Sequence, residues 1–132
     1  MSNKNQKLIE SALAARLLAY APYSGFLVGA AIQAGPDIVA GCNVENVSYG
    51  LTICAERVAV ANAIARGQQK FEAIAIASHG GVAPCGACRQ VLMEFAPQMT
   101  IYLIDVANDD EVRQFSLDDL LPNAIQADDL PR

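Results

Sequence analysis

The sequence predicts an α/β fold, a three-layer α/β/α sandwich with a mixed central sheet. Helical and strand-like segments alternate along the chain in the order helix, strand pair, helix, strand, helix, strand. Glycine or proline interrupts the chain between most of these segments. The chain has 132 residues, which suits one compact domain, so we expect a single domain over residues 1–132.

Each element follows from hydrophobic periodicity and from the turn residues that interrupt it. In order, the sequence predicts a helix over residues 4–20, strands over 26–34 and 38–44, a helix over 54–66, a strand over 71–78, a helix over 85–95, a strand over 100–106 and a short helix over 116–121. Gly35-Pro36-Asp37 separates the first two strands and indicates a hairpin. Gly67 and Pro97 are placed to end the second and third helices.

Composition and charge exclude several classes of partner. The net charge of −5 and the pI near 4.6 disfavour binding to nucleic acids or anionic membranes. No stretch approaches the roughly 20 apolar residues that span a bilayer. The first residues lack the pattern of a signal peptide, so we expect a cytoplasmic protein whose four cysteines are thiols or metal ligands.

Two short motifs carry the candidate chemistry: Cys54-Ala55-Glu56 and Pro84-Cys85-Gly86-Ala87-Cys88. Cys85 and Cys88 are three residues apart at a predicted helix start, where such residues project from the same side. Cys54 lies where the preceding helix begins, and a helix N-terminus stabilises a thiolate. Three sulfurs leave one position of a tetrahedral zinc ion open, which is typical of a catalytic site.

Glu56 is the candidate proton carrier, on one geometric condition. Residues two apart in a helix point about 200° from each other. Cys54 and Glu56 therefore face one ligand only if Cys54 occupies the cap with non-helical dihedrals, and we expect that it does. Pro84 is expected at the start of the next helix, where its missing N–H has no partner in any case.

The cysteines also allow other interpretations. Cys42 could complete a closed zinc site, but it falls in a predicted strand where a small buried thiol is usual. His79, the single histidine, lies in a glycine-bearing loop and is expected to be solvated. A redox pair would not require the Cys-Ala-Glu element, and a structural zinc site would need a fourth ligand.

The chain resembles the small, homotetrameric class of zinc-dependent cytidine deaminases over almost its whole length. The segments that carry the resemblance are Tyr23-Ser24-x-Phe26, Val28-Gly29-Ala30-Ala31, Gly41-Cys42-Asn43-Val44-Glu45-Asn46, Cys54-Ala55-Glu56-Arg57, Pro84-Cys85-Gly86-Ala87-Cys88-Arg89-Gln90 and Leu120-Leu121-Pro122. The resemblance implies a homotetramer that holds one Zn²⁺ per subunit and converts cytidine, and 2′-deoxycytidine as well, to the uridine product and ammonia. In that chemistry water attacks C4 of the pyrimidine while Glu56 transfers protons.

Charge and hydrogen bonding suggest further roles. Three thiolates and one Zn²⁺ sum to −1, so we expect an arginine, Arg57 in preference to Arg89, to donate to a ligating sulfur. Asn43 and Glu45 are two apart at a strand end and suit a sugar hydroxyl, which the resemblance identifies as the ribose 3′-OH. A carboxylate there would repel a 3′-phosphate, which favours a free nucleoside.

The resemblance also implies contacts to the base and to a neighbouring subunit. Phe26 packs beside the base, the Ala55 backbone meets its edge, and Tyr49 approaches the ribose from a neighbouring subunit. Ile125 stands where a base-stacking phenylalanine is usual in the family. Two alternatives remain: a deaminase of another cytosine-bearing compound such as a nucleoside antibiotic, and a non-catalytic zinc-stabilised binding module.

Overall fold

The computed structural model describes residues 2–131 and confirms the mixed α/β/α sandwich. Its elements are α1 (Asn3–Arg16), β1 (Gly29–Ala34), β2 (Asp37–Cys42), α2 (Ala55–Ala65), β3 (Ala73–Ser78), α3 (Gly86–Phe95), β4 (Thr100–Asp105), β5 (Glu111–Ser116) and α4 (Leu117–Leu120), with 3₁₀ turns at Tyr49–Leu51 and Ala127–Asp129. Within the described range, every helix is too short or too polar to cross a bilayer.

The five strands form one sheet in the order β2-β1-β3-β4-β5. Only the β3–β4 pair is parallel, and the other three pairs are antiparallel, so the sheet is mixed. Helix α1 packs on one face through Leu8, Ile9 and Ala12, while α2 and α3 pack on the other. Every residue of β1 and β3 is buried because helices cover both faces of the sheet at its centre.

Two glycines allow helices to approach the sheet closely. A Cβ on Gly29 would lie 2.2 Å from the Ala12 oxygen in α1. A Cβ on Gly41 would lie 2.4 Å from the Ala59 nitrogen and 2.9 Å from the Ala55 oxygen in α2. The absence of a side chain at Gly41 therefore lets the first turns of α2 lie directly on β2, which fixes where that helix begins.

The sequence prediction of four strands is wrong by one, since β5 pairs antiparallel with β4 at the sheet edge. Most of β5 is exposed or half-buried, so its sequence lacks the apolar run that marks the inner strands. The hairpin that leads into it has a recognisable turn. Asp109 and Asp110 have φ values of 51° and 55°, and the Glu111 N–H donates to the Asn108 carbonyl at 3.0 Å. Such left-handed pairs favour aspartate and asparagine.

The predicted first helix and the first two predicted strands extend too far, into residues 17–28 and 43–44. Helix α1 ends at Arg16 instead of residue 20, and β1 begins at Gly29 instead of residue 26. The intervening segment bonds to the chain that follows β2 instead. The Tyr20 N–H donates to the Asn43 carbonyl at 3.0 Å, and the Glu45 N–H donates to the Tyr20 carbonyl at 2.8 Å. Tertiary hydrogen bonds therefore displace both the last helical turn and the first strand residues.

Smaller differences concern the remaining termini. Strand β3 begins at Ala73 rather than Phe71, and Pro84 precedes the cap of α3 rather than lying in its first turn. The short α4 forms as predicted. Ser116 occupies its N-terminal cap position without a side-chain hydrogen bond to the helix backbone. The Ser116 hydroxyl donates instead to the Asp118 carboxylate at 2.5 Å.

Candidate active site

Three cysteine sulfurs lie together where α2 and α3 begin. The Sγ atoms of Cys54, Cys85 and Cys88 all lie within 4.8 Å of one another, and those of Cys54 and Cys85 are 3.9 Å apart. Two sulfurs about 2.3 Å from a tetrahedral zinc ion are separated by about 3.8 Å. The sulfur positions therefore fit zinc, and the sequence prediction that these three residues converge is confirmed.

Two of the sulfurs belong to residues that cap helices. Cys54 precedes α2 with φ −69° and ψ 151°, and Cys85 precedes α3 with φ −64° and ψ 167°. Both conformations are extended, so the prediction that Cys54 has non-helical dihedrals is confirmed. The Cys88 N–H donates to the Cys85 sulfur at 3.5 Å. The N-terminal ends of two helices thus face the sulfurs, which favours thiolates there.

Glu56 lies in the first turn of α2 and is 5% exposed. Burial raises the pKa of its carboxyl group, and the nearby Cys54 raises it further. The Glu56 backbone N–H and the Cys88 side chain act in the opposite direction and lower this pKa. A carboxyl group with a raised pKa beside a metal-binding site is suited to accept and return protons near neutral pH.

The pKa values of Cys54 and Cys88 are shifted in opposite directions. Hydrogen bonds from Cys88 and then Arg57 lower the pKa of Cys54 to about 5, against the effect of burial. The pKa of Cys88 is raised, first by its hydrogen bond to Cys54 and then by burial. The cluster thus favours the thiolate form of Cys54, whose sulfur accepts a hydrogen bond from Arg57. A zinc ion would replace the thiol proton as the partner of that thiolate.

Of the two arginines considered from the sequence, Arg57 contacts a sulfur. Its Nη2 atom donates to the Cys54 Sγ at 3.5 Å, and this hydrogen bond raises the pKa of the guanidinium group. Arg89 has different partners: its Nε donates to the Pro84 carbonyl at 2.7 Å and its Nη1 to the Leu120 carbonyl at 2.6 Å. Arg57 therefore offsets charge on the cluster, while Arg89 holds the start of α3 against the end of α4.

The two other candidate ligands lie outside the cluster. Among residues 2–131, only Cys54, Cys85 and Cys88 form a group of metal-binding side chains. Cys42 is a partly buried free thiol at the end of β2, and His79 is exposed in the turn after β3. Neither residue belongs to the three-sulfur group.

Asn43 and Glu45 lie just beyond the end of β2, and both side chains contact the segment that follows α1. Asn43 is 8% exposed; its Oδ1 accepts from the Val28 N–H at 2.9 Å and its Nδ2 donates to the Phe26 carbonyl at 2.8 Å. Glu45 accepts from the Tyr23 N–H at 2.9 Å and from the Ser24 N–H at 3.1 Å. The two side chains thus lie on the same side of the chain.

A cavity of about 310 Å³ opens beside Glu45. Its lining residues are Tyr23, Ser24, Glu45, Tyr49 and Thr52. Tyr49 is 74% exposed, and its ring lies 5.9 Å from the ring of Tyr23, centre to centre. Tyr49 therefore lines a cavity of its own chain, and its approach to the ribose of a neighbouring subunit stays a prediction.

The remaining predicted contact residues differ in burial. Phe26 is 39% exposed, so it is not a core residue, whereas Ala55 is fully buried in the first turn of α2. Ile125 is 56% exposed in the C-terminal segment, where its carbonyl accepts from the Gln90 side chain at 3.1 Å. Phe26 and Ile125 are thus free to contact a ligand, whereas Ala55 offers only its backbone.

Sequence reasoning missed the roles of Ser24, Arg89 and Gln90 as hydrogen-bonding side chains. The Ser24 hydroxyl donates to Glu45 and accepts from the Phe26 N–H at 3.0 Å, two residues on. That local pattern is typical of serine in turns, and the Tyr23-Ser24-Gly25 sequence indicates it. The contacts of Arg89 and Gln90 reach residues 31 and 35 positions away, so no local pattern indicates them.

Comparison with known proteins gives a consistent result. The family model for the cytidine and deoxycytidylate deaminase zinc-binding region matches residues 2–104. The chain is 43% identical over 129 residues to the cytidine deaminase of Halalkalibacterium halodurans, covering 95% of this chain and 96% of that protein. It is 48% identical over 117 residues to the cytidine deaminase of Mycobacterium tuberculosis, covering 86% and 84% respectively.

Solved structures agree with these relatives. The crystal structure of cytidine deaminase from Burkholderia pseudomallei superposes with a TM-score of 0.86 at 47% identity and covers 95% of this chain and all of that one. The cytidine deaminase structure from Mycobacterium tuberculosis gives a TM-score of 0.79 at 41% identity over 95% and 98% of the two chains. With the zinc-binding geometry of its three cysteines, the chain belongs to the family of zinc-dependent cytidine deaminases.

Proposed function

We propose that this protein catalyses the hydrolytic deamination of cytidine, and of 2′-deoxycytidine, to the corresponding uridine nucleoside and ammonia. The observation that carries the proposal is the group of three sulfurs at zinc-binding separation beside the buried carboxyl group of Glu56. The cytidine deaminases that are 43–48% identical over most of the chain support the same substrate.

We assign Cys54, Cys85 and Cys88 as zinc ligands and Glu56 as the proton carrier. When bound there, zinc supplies the Lewis acidity that makes water nucleophilic near neutral pH. Glu56 accepts the proton that water loses as it adds to C4 of the pyrimidine. It delivers that proton to N3. It then takes the proton of the new C4 hydroxyl as the C4 carbonyl forms and passes it to the departing amine, and its raised pKa suits it to both directions of transfer.

We assign substrate binding to residues of the segments before β1 and after β2 and to the start of α2. Glu45 and Asn43 bind the ribose 3′-OH, since a carboxylate accepts and an amide both accepts and donates. Phe26 packs beside the base, and the backbone of Ala55, at the start of α2, meets the base edge. Tyr49 approaches the ribose of a nucleoside bound to a neighbouring subunit. The acidic Glu45 disfavours a 3′-phosphate, so a free nucleoside is the expected substrate.

The deamination of a cytosine-bearing antibiotic is the second candidate, and the comparisons favour it less. A blasticidin-S deaminase from Bacillus cereus is 30% identical over 87 residues, 58% of this chain. The cytidine deaminases match over longer segments and at higher identity. A non-catalytic zinc-stabilised module gives no role to a buried glutamate that faces the sulfurs.

We further propose a homotetramer that consists of a single catalytic domain per chain and lies in the cytoplasm. Exposed apolar side chains on the segments before β1 and after β2, including Leu17, Leu18, Val47 and Leu51, are suited to subunit contacts. A cytoplasmic location would keep the cysteine ligands reduced and able to bind metal.

The decisive experiment compares wild type with Glu56→Gln, and uses Glu94→Gln on the exposed side of α3 as the control. Each purified protein is assayed for ammonia release from cytidine, 2′-deoxycytidine and cytidine 3′-monophosphate, and its zinc content is measured. We expect Glu56→Gln to lose at least about 10²-fold in kcat with zinc retained, and Glu94→Gln to match wild type. Wild type that holds zinc but releases no ammonia from either nucleoside would overturn the proposal.

A further inference from the structure

Hydrogen bonds fasten the segment before β1 to the segment after β2, and both segments carry proposed substrate contacts. The backbones of Tyr20 and residues 43–45 pair directly. The side chains of Asn43 and Glu45 then bond to backbone groups of residues 23–28. Side-chain hydrogen bonds thus hold residues 23–28 against residues 43–45. A change in one of these side chains can therefore alter the orientation of the Glu45 carboxylate.

The Glu45 carboxylate can accept one further hydrogen bond, at Oε2. Its Oε1 accepts from the N–H groups of Tyr23 and Ser24, and its Oε2 accepts from the Ser24 hydroxyl. A carboxylate oxygen has two lone pairs. Oε1 is therefore fully used, and Oε2 keeps one lone pair for a ligand at the cavity that Glu45 lines.

The Ser24 hydroxyl also connects Glu45 to Phe26. Its oxygen accepts from the Phe26 N–H at 3.0 Å while its hydrogen is donated to Glu45. Gly25 allows this bend, since its φ of 69° lies in the left-handed region. A single hydroxyl thus spans the residue proposed to bind the sugar and the residue proposed to pack on the base.

We propose that Ser24 is a positioning residue that restricts Glu45 to one sugar hydroxyl, and so determines how strongly the enzyme selects nucleosides that carry a 3′-OH. The proposal rests on the function proposed above, in which Glu45 binds that hydroxyl. Without the Ser24 hydroxyl, Oε2 has two free lone pairs and the carboxylate loses one of the three donors that fix it. Water then competes for Oε2, and the geometry toward the 3′-OH is lost.

The test uses the ratio of kcat/KM for cytidine to kcat/KM for 3′-deoxycytidine in wild type, Ser24→Ala, Ser24→Thr and Glu45→Gln. Any effect through Phe26 acts equally on both nucleosides, so the ratio isolates the route through Glu45. We expect Ser24→Ala to reduce the ratio about tenfold, mainly through KM for cytidine. Ser24→Thr keeps the hydroxyl and should retain the ratio within about threefold.

The outcomes separate this proposal from the proposed function. If Ser24→Ala leaves the ratio unchanged, whether or not kcat/KM falls equally for both nucleosides, the positioning role is overturned. If Glu45→Gln also leaves the ratio unchanged, the assignment of Glu45 to the 3′-OH fails instead. Ser24→Cys keeps a weaker donor and should give a ratio between those of wild type and Ser24→Ala. If Ser24→Ala does not fold, Ser24→Cys is the deciding variant. A wild-type ratio in Ser24→Cys counts against the proposal.

Discussion

Removal of the Arg57 guanidinium group tests how the metal centre is tuned. The three thiolates and a Zn²⁺ ion sum to a charge of −1, and Arg57 brings that sum to zero through its hydrogen bond to the Cys54 sulfur. A hydrogen bond to a charged group contributes about 1.5–3 kcal/mol. At 3.5 Å from Nη2 to Sγ the contact is long, so we take the lower end of that range for Arg57→Ala.

A loss of about 1.5 kcal/mol corresponds to slightly more than a tenfold change in an equilibrium constant. Arg57→Ala should therefore bind zinc about tenfold more weakly, and kcat/KM for cytidine should fall by a similar factor, within the range usual for residues that support metal ligands. The assay is competition for zinc against a chromogenic chelator, followed by ammonia release from the zinc-saturated protein. Zinc saturation separates the loss of metal from the loss of activity.

The matched control is Arg66→Ala, because Arg66 is exposed at the end of α2 and its removal changes the net charge equally. We expect Arg66→Ala to retain wild-type zinc affinity and activity. Arg57→Lys keeps the charge without the planar donor group and should fall between wild type and Arg57→Ala. Unchanged zinc affinity and turnover in Arg57→Ala would refute the role of Arg57 at the metal centre. An equal loss in Arg66→Ala would show that net charge, and not the hydrogen bond to Cys54, causes the effect.

Three further predictions concern packing, pH and the C-terminal segment. Gly41→Ala places a Cβ 2.4 Å from a backbone nitrogen of α2, so the free energy of unfolding should fall by about 1–3 kcal/mol in thermal denaturation, and zinc should bind more weakly. Gly50 has open space around it, so the unfolding free energy of Gly50→Ala should stay within about 0.5 kcal/mol of wild type. The Ser24 hydroxyl and two backbone N–H groups lower the pKa of Glu45, so Glu45 stays ionised below the usual range of a glutamate, near 4.3. KM for cytidine should therefore stay flat as pH falls toward that value and rise only below it; a rise that begins above pH 5 contradicts the assignment. Ile125→Phe adds a ring at an exposed position and should lower KM for cytidine about fivefold, equivalent to about 1 kcal/mol, and an unchanged or higher KM counts against that position as a base contact.

The inner layers of the fold were predictable because local pattern and burial agree there. The segments of β1, β3 and β4 consist mainly of apolar residues, and the structure buries their central residues on both faces of the sheet. Strand β5 was missed because an edge strand needs few apolar residues, and its turn at Asp109 and Asp110 was the better indication. The early end of α1 was not predictable, since Tyr20 leaves the helical pattern to pair with a segment more than 20 residues away.

The candidate site divides in the same way. The shared direction of Cys85 and Cys88 was predictable because they are three residues apart at a helix start, and Cys54-Ala55-Glu56 at a second helix start indicated the third sulfur. The contact of Arg57 with Cys54 follows from a three-residue separation at a helix start. Ser24 lies in one of the segments that carry the family resemblance, but its contact with Glu45 spans 21 residues, and no periodicity connects the two residues.

The two halves of the site are supported by different kinds of interaction, and this difference sets how each should respond to mutation. The metal half is built from helix starts that lie on the sheet core, where Ala55 and Ala59 are fully buried and Gly41 admits no side chain. Changes there disturb packing, so stability, zinc affinity and kcat should fall together. The sugar half is held by hydrogen bonds that Ser24 donates to the Glu45 carboxylate in partly exposed loops. Changes there leave the core intact and should act on KM and on substrate choice at nearly constant unfolding free energy.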